Sequence, residues 1–202
     1  MLLSGPNLGL LGSREPEIYG TDTLADHVER AARTAAAAGW DLEHVQTDHE
    51  GGLVEAVHRA RGTADAIVVN AGALTHTSWS LHDALAAFDG VVIELHLSNP
   101  AAREPFRHTS VVAPVADGLV AGMGGLGYEL AVEAAVRLVA VRLAAGGMHA
   151  AAGPSRPQRA PASDQAHRPD PADQPHRPDP ADRAHRPDRA HRPDRAQEGT
   201  TP

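Results

Sequence analysis

Short apolar runs alternate with segments of helical periodicity along the first three quarters of this 202-residue chain. The clearest run is AIVVN over Ala66–Asn70, an apolar stretch of the kind found in strands that are buried on both faces. Alternation of this type is typical of βα units that build a parallel sheet. We therefore predict five strands: Met1–Ser4, Asp41–Gln46, Ala66–Asn70, Val91–Leu95 and Gly118–Ala121.

Helices are predicted between these strands. Thr21, Asp22 and Thr23 offer N-caps for the first helix. Helical spacing predicts the inner faces of the first two helices: Leu24, Val28, Ala31 and Ala35, then Leu53, Ala56, Val57 and Ala60. Two further helices are expected at about Trp79–Phe88 and Tyr128–Leu143. The whole pattern predicts an α/β protein with a flavodoxin-like, doubly wound, five-stranded parallel sheet.

Composition divides the chain into a body, residues 1–147, and a tail, residues 148–202. The tail holds 11 of the 16 prolines, has no aromatic residue and repeats His-Arg-Pro-Asp from positions 167, 176, 185 and 191. It lacks the apolar side chains needed to offset the entropy of ordering, so we predict that it is disordered. Weak metal binding by the tail histidines is a minor alternative.

Charge and two missing residue types exclude several classes of function. The body has a net charge of −9, which argues against nucleic acid as its main partner. The chain has no cysteine, so disulfides, thiolate nucleophiles and cysteine-based metal sites are excluded. All 18 basic residues are arginine, so a lysine Schiff base is excluded too. Without a membrane-length apolar run or a signal peptide, a cytoplasmic location is expected.

Polar residues follow three of the predicted strands, at the edge where ligands bind in doubly wound sheets. Asn7 ends the motif GPN, Asn70 ends the third strand, and Glu94 and His96 end the fourth. Glu94 and His96 share one face because side chains alternate along a strand. A carboxylate beside an imidazole fixes its tautomer and favours its protonated form, which suits a general acid. A satisfied polar pair at a strand end is the alternative.

A glycine-rich segment, GPNLGLLG over residues 5–12, leads to Arg14 and Tyr19. A surface loop rich in turn formers is the ordinary interpretation. The segment also suits a catalytic lid, because glycines permit closure and a guanidinium near Tyr19 would favour its ionised, basic form. Arg103 and Arg107 are either a solvated face or a clamp for an anionic substrate.

Two other patterns have plain structural explanations. The sequence GMGGLG over residues 122–127 matches the dinucleotide pattern GxGxxG, but no strand and no acidic residue about 20 positions on follow it. We expect these glycines to allow close packing of a helix on the sheet. His44 and His49 flank Asp48 in a single segment without a further ligand, so no metal site is predicted there.

Together, GPNLGLLG with Arg14 and Tyr19, NAGALTHTS over residues 70–78, and ELHLSN from residue 94 with REPFRH from residue 103 resemble the type II 3-dehydroquinate dehydratases. The resemblance runs from Met1 to about Gly146. It implies a flavodoxin-like fold and a lyase of the shikimate pathway, which leads to chorismate and the aromatic amino acids. It also implies that 3-dehydroquinate is dehydrated through an enolate, without cofactor or metal.

The resemblance also implies roles for individual residues. Tyr19, activated by Arg14, would take the proton from carbon 2, and Asn7 would hold a water on the enolate. His96, paired with Glu94, would protonate the hydroxyl that leaves carbon 1. The residues implied to bind substrate are Asn70, His76, Asp83, Leu97, Ser98 and Arg107. Asp83 matches a position that reaches a neighbouring subunit's site, which implies a dodecamer built from four trimers.

Three departures from the family pattern leave alternatives open. Ala71 replaces the usual proline, and Ser4 stands where the family usually has asparagine. Only four residues precede Gly5, so the first strand is short and the natural chain is expected to begin upstream. A catabolic, quinate-pathway dehydratase and a member inactivated by the short N-terminus are alternatives. A flavin-binding module of the same fold is another.

Overall fold

The computed structural model describes residues 1–13 and 21–146. Five strands, all of them predicted, form one parallel sheet: β1 (Leu2–Ser4), β2 (His44–Gln46), β3 (Ala66–Asn70), β4 (Val91–His96) and β5 (Gly118–Ala121). The longer helices are α1 (Leu24–Ala37), α2 (Glu50–Ala60), α3 (Trp79–Ala86) and α4 (Leu126–Gly146). The strand order β2-β1-β3-β4-β5 confirms the doubly wound, flavodoxin-like fold.

Helices cover both faces of the sheet. Leu2, Val68 and Ile93 face α1 and α4, whereas the neighbouring residues along the same strands face α2 and α3. This alternation follows from the two-residue period of a strand. It places the side chains of Ser4 and Asn70 on the α1/α4 face, and those of Glu94 and His96 on the α2/α3 face.

The predicted starts of α1 and α3 agree with the structure. Thr23 is the N-cap of α1: its hydroxyl accepts from the Asp26 amide at 3.2 Å, and the Asp26 carboxylate accepts from the Thr23 amide at 2.8 Å. Ser78 caps α3 by accepting from the Leu81 amide at 3.0 Å. The predicted inner face of α2 is fully buried. In α1 the predicted residues Leu24, Ala31 and Ala35 are buried. His27, which was not predicted, is also buried, and the predicted Val28 is only partly buried.

Several element boundaries differ from the prediction. β2 begins at His44 rather than Asp41, and the pairing of His44 with Leu2 is the first of its register with β1. α4 extends beyond both predicted ends. β1 pairs on both sides, with β2 and β3, and the Met1 ammonium donates to the Ala66 carbonyl at 2.8 Å.

Two predictions fall outside the described residues. One is the disordered tail at 148–202, and the other is the lid segment that carries Arg14 and Tyr19. Among the described residues, no helix is long and apolar enough to cross a membrane.

Candidate active site

A pocket opens at the carboxyl edge of the sheet, between the ends of β1, β3 and β4. The predicted site residues that line it are Asn7, Asn70, His76, His96, Leu97, Ser98 and Arg107. These residues come from four separate stretches of the chain, and the ends of parallel strands bring them together. The predicted convergence is therefore observed for all of these residues.

His96, with the buried Glu94 behind it, lines one side of the pocket. His96 Nε2 lies 2.7 Å from Glu94 Oε1, and the Glu94 side chain is only 1% exposed. Because a carboxylate oxygen accepts, Nε2 donates and Nδ1 is the ring nitrogen that can exchange a proton with a bound molecule. Glu94 does not line the pocket itself; it lies behind His96 and acts through the ring.

Ser110, which the sequence interpretation did not single out, completes this pair. Its hydroxyl lies 2.8 Å from Glu94 Oε1, the same oxygen that His96 contacts. The Ser110 hydroxyl accepts from the amides of Val112 and Ala113, two and three residues further along the chain. A serine at the start of such a turn was the only indication in the sequence. That pattern is typical of many serine-containing turns, so it did not indicate a site.

His76 stands beside His96, with the two rings stacked at 9° and their centroids 6.5 Å apart. Its Nδ1 donates to the carbonyl of Thr109 at 2.7 Å, which leaves Nε2 for a ligand. Phe106 packs edge-on against the same ring at 6.0 Å. The ring of His76 is thereby held in one orientation at the rim of the pocket.

Asn70 lines the pocket and belongs to a buried polar layer on the α1/α4 face, formed with Ser4 and Tyr128. Its Oδ1 accepts from the Gly72 amide at 3.2 Å, so the side-chain amide group is oriented. Below it lie Ser4, its register partner on β1, and Tyr128 of α4. Ser4 Oγ is 3.1 Å from His44 Nε2, which gives His44 a structural contact with this layer.

Tyr128 is completely buried in this layer. Burial raises the pKa of Tyr128 to about 12, and the nearby Asn70 and Ser4 side chains lower it only in part. No hydrogen bond of ordinary geometry reaches its hydroxyl from the described residues, although both of those side chains are close. Tyr128 therefore remains a neutral phenol at physiological pH.

The GPN turn that presents Asn7 is set by close backbone contacts. Gly5 donates to the Asn70 carbonyl at 2.8 Å, and a Cβ at Gly5 would lie 2.6 Å from the Ala71 carbonyl oxygen. Asn7 has a left-handed backbone (φ 66°), and its amide donates to Asp48 Oδ1 at 2.9 Å. Asp48 thus orients this turn.

The glycine segment 122–124 supports the loop of Leu97 and Ser98. The amide of Gly122 donates to the carbonyls of His96 and Ser98, and that of Gly124 donates to the Leu97 carbonyl at 3.0 Å. In a trans peptide the N–H points away from the preceding C=O. The amides of Leu97 and Ser98 therefore point away from the glycine segment, as an anion site on these amides requires.

Close packing by the following glycines is as predicted. A Cβ at Gly125 would lie 2.4 Å from His27, and a Cβ at Gly127 would lie 3.0 Å from Leu95. The GMGGLG motif is thus explained by contacts with the sheet, with α1 and with the Leu97–Ser98 loop.

Arginines line the open side of the pocket. Arg107 Nε donates to Glu104 Oε2 at 2.8 Å, and its guanidinium stacks over Phe106 at 4.7 Å. A backbone hydrogen bond at Glu104 and the contact with Arg107 hold the pKa of the Glu104 carboxyl below its usual range. Arg103 also lines the pocket and approaches Ser98 Oγ at 3.4 Å. Both positive charges favour an anionic ligand.

Besides Glu94, three predicted site residues do not line this pocket as described. Asp83 is exposed on α3 and does not line the pocket. Arg14 and Tyr19 lie outside the described residues. The neighbour of Asp83, His82, donates from Nδ1 to the Val111 carbonyl at 2.7 Å and so fixes α3 against the segment that contains Ser110.

A larger cavity, about 460 Å³, lies at the opposite, amino edge of the sheet. It is lined by Met1, Trp40, the end of α1 and the middle of α4, among others, and it contains none of the predicted site residues. We assign the site to the smaller pocket because the oriented histidines, the buried carboxylate and the arginines converge there.

Comparisons with known proteins agree with this assignment. The profile of the family described as Dehydroquinase class II matches residues 1–136. A 3-dehydroquinate dehydratase of Jannaschia sp. (strain CCS1) is 57% identical over 137 residues, which cover 67% of this chain and 92% of that protein. A catabolic 3-dehydroquinase of Emericella nidulans is 50% identical over 133 residues, covering 66% and 87%. The crystal structure of a type II dehydroquinase from Propionibacterium acnes superposes with a TM-score of 0.65 at 43% identity, covering 67% and 94%.

Proposed function

This chain belongs to the dehydroquinase class II family, and from that membership we infer that it dehydrates 3-dehydroquinate to 3-dehydroshikimate. The observation that supports this most directly is the buried Glu94–His96 pair in one pocket with Asn70, His76 and Arg107. Membership in a family of dehydratases sets aside the flavin-binding module. The enzyme is a hydro-lyase: carbon 2 loses a proton, and the hydroxyl leaves carbon 1 as water.

We assign the base to Tyr19 by the family resemblance and by elimination among tyrosines. The chain has two tyrosines, Tyr19 and Tyr128. Tyr128 is buried with a pKa of about 12, so it cannot supply a phenolate near neutral pH. Arg14, five residues before Tyr19, is the cation proposed to favour its ionised form. The electrons of the broken C–H bond then form the enolate.

His96 is the proposed acid. Its Nε2 is committed to Glu94, so Nδ1 delivers the proton to the departing hydroxyl. The Glu94 carboxylate stabilises the charged ring before the transfer and holds its orientation. The product then contains a carbonyl conjugated to the new double bond.

The remaining residues are proposed to bind the substrate. The amides of Leu97 and Ser98, which point away from the glycine segment, hold the carboxylate. Asn70, His76 and Arg107 hold the ring hydroxyls. Asn7, at the turn after β1, holds the water that stabilises the enolate. This mechanism assigns no step to a metal or a cofactor.

A direct assay tests the function. Purified protein is mixed with 3-dehydroquinate, and the absorbance of the enone product is followed over time. The expected result is turnover that His96→Asn lowers by roughly 10²–10⁴, the usual contribution of a positioned acid. Absence of turnover in the wild-type chain would contradict the proposal. Borohydride added with substrate should attach nothing, because the chain has no lysine to form an imine.

We further propose that the enzyme serves biosynthesis in the shikimate pathway. The similarity to a catabolic 3-dehydroquinase makes quinate degradation the second candidate. Deletion of the gene distinguishes the two roles. Loss of a biosynthetic enzyme makes the cell dependent on added aromatic amino acids. Loss of a catabolic enzyme abolishes only growth on quinate.

Assembly, location and domain division complete the proposal. We propose a dodecamer of four trimers, to be tested by light scattering, and a cytoplasmic location, to be tested by fractionation. Residues 1–147 would form the catalytic domain and residues 148–202 a disordered tail. Deletion of the tail should then leave catalytic rate and melting temperature nearly unchanged.

A further inference from the structure

The Ser110 hydroxyl, which lies beside the Glu94–His96 pair, uses its full hydrogen-bonding capacity. Its Oγ accepts from the amide of Val112 at 3.0 Å and from that of Ala113 at 2.9 Å. The same oxygen lies 2.8 Å from Glu94 Oε1. A serine hydroxyl has one proton and two lone pairs. Two amides occupy the lone pairs, so the hydroxyl proton points at Glu94.

This geometry gives the hydrogen bonds a fixed direction. The backbone amides donate to Ser110, and Ser110 donates to Glu94 Oε1. That oxygen therefore accepts from Ser110. Because a carboxylate oxygen accepts, His96 Nε2, which lies 2.7 Å from the same oxygen, donates to it as well. The turn at residues 110–113 thereby helps to orient the carboxylate that fixes the tautomer of the His96 ring.

The Glu94 carboxylate depends on these two donors for its orientation. Its other oxygen, Oε2, is buried and has no hydrogen-bond partner among the described residues. The terminal torsion of a glutamate is intrinsically broad, so the carboxylate needs an external hold. Removing the serine hydroxyl would leave His96 as the single donor, and the pair would be free to rotate together.

We propose that Ser110 is a positioning residue for the proton-donating step, acting through Glu94 on His96. The proposal rests on the proposed function, because it presumes that His96 is the acid. Ser110 does not line the pocket. Its loss should therefore lower the rate of chemistry while leaving substrate binding largely intact.

The first experiment compares Ser110→Ala with Ser110→Thr, which keeps the hydroxyl. The control is Thr63→Ala, which deletes an exposed hydroxyl that donates to the Arg59 carbonyl far from the pocket. Ser110→Ala should lower kcat by about tenfold to a hundredfold, part of what a positioned acid contributes, with KM changed less than about threefold. Ser110→Thr should recover most of the rate, and the control should match wild type. An unchanged kcat in Ser110→Ala, or a loss confined to KM, overturns the proposal.

A double-mutant cycle tests the route through Glu94. Residues that act through one another are not additive. Ser110→Ala should thus lower kcat much less in a Glu94→Ala background than in the wild type. If the two losses multiply, Ser110 acts by another route and the proposal is wrong.

Folding and function are separated by two further measurements. Melting temperature is recorded for every variant, and Ser110→Cys replaces Ser110→Ala if the alanine variant does not fold. A thiol is a weak donor, so kcat should fall in that variant too, and full activity overturns the proposal. Wild-type protein without turnover would refute the proposed function itself. An active wild type with an equally active Ser110→Ala refutes only this inference.

Discussion

The ring of Tyr128 lies flat on the ring of His27, with the planes 7° apart and the centroids separated by 5.1 Å. This stack joins α4 to α1 beneath the pocket. Each ring carries a buried polar atom without a partner among the described residues, the Tyr128 hydroxyl and His27 Nε2. The His27 Nδ1 lies 2.9 Å from an Arg30 guanidinium nitrogen, so Nδ1 accepts and the ring is neutral.

Tyr128→Phe should stabilise the protein. The substitution keeps the stack and removes a hydroxyl whose burial without a hydrogen bond costs about 1–3 kcal/mol. We expect the free energy of unfolding in urea to rise by about 1 kcal/mol. A loss of stability of similar size would show instead that the hydroxyl is bonded to Ser4 or Asn70.

Tyr19→Phe should lower kcat by at least about a thousandfold, consistent with loss of the general base. Unlike Tyr128→Phe, it should also remove the first tyrosinate step from a titration followed by ultraviolet absorbance. Tyr128, with its pKa of about 12, titrates last. A Tyr19→Phe enzyme that keeps a tenth of its turnover would exclude Tyr19 as the base.

Stability should fall as the pH decreases below about 6.5. Burial, with a further contribution from Arg30, lowers the pKa of His27, and burial lowers that of His44. The unfolded chain therefore binds protons near pH 6.5 while the folded protein does not, and this shifts the equilibrium toward unfolding. Each such histidine contributes at most about 1.4 kcal/mol per pH unit, until its folded-state pKa is reached.

Urea unfolding at pH 7.5, 6.5 and 5.5 measures this dependence. The slope of the unfolding free energy against pH should become smaller in His44→Gln, because glutamine cannot titrate. It should become smaller again when His27→Gln is added. The carboxyl groups of Asp26 and Glu104, whose pKa values are lowered, lose their stabilising effect only at more acidic pH. Equal slopes in all variants would rule out the histidines as the cause.

Gly5→Ala should impair both stability and activity. Its Cβ would meet the Ala71 carbonyl oxygen at 2.6 Å, a backbone atom that cannot rotate away. The end of β1 must then separate from β3, which displaces Asn7 relative to Asn70. Gly51→Ala is the matched control: it lies in α2 with open space around its Cβ position. It should be neutral or stabilising by up to about 1 kcal/mol, and similar effects of the two substitutions would contradict the packing argument.

Mixed oligomers test the proposed role of Asp83. If this exposed side chain serves a neighbouring site, Asp83→Asn and Tyr19→Phe should each be inactive alone. Unfolded and refolded together in equal amounts, they should regain about a quarter of wild-type activity, since a site needs its own tyrosine and its neighbour's aspartate. No recovery, with mixed oligomers demonstrated by mass spectrometry, would place Asp83 in its own subunit's function or in none.

The sequence allowed the sheet to be predicted because its strands are short apolar runs with polar ends. Val91–Leu95 and Ala66–Asn70 show this most clearly, and the ligand edge then follows from parallel topology. The pairing of Glu94 with His96 could be predicted because residues two apart in a strand lie on the same face. Their contact depends only on neighbouring positions in the sequence.

Contacts between distant segments were not predictable in the same way. His27 occupies a core position because Tyr128, a hundred positions on, offers a flat ring, and nothing near His27 in the sequence announces it. The proposed role of Ser110 depends on a single hydrogen bond, from its hydroxyl to Glu94 of β4, sixteen positions earlier in the chain. Such residues resemble ordinary loop or helix residues until the chain folds.

Main-chain atoms make several of the hydrogen bonds that connect the segment from Thr109 to Val111 to the rest of the site. The carbonyl of Thr109 holds His76, while the carbonyl and the amide of Val111 hold His82 and Thr75. Every residue supplies a carbonyl, and every residue except proline supplies an amide N–H, so the exposed side chain of Thr109 is free to vary during evolution without loss of the contacts. Segment length is different: one residue inserted or deleted here would shift every carbonyl out of register with its histidine. Selection should therefore tolerate substitutions at Thr109 while rejecting insertions and deletions beside it.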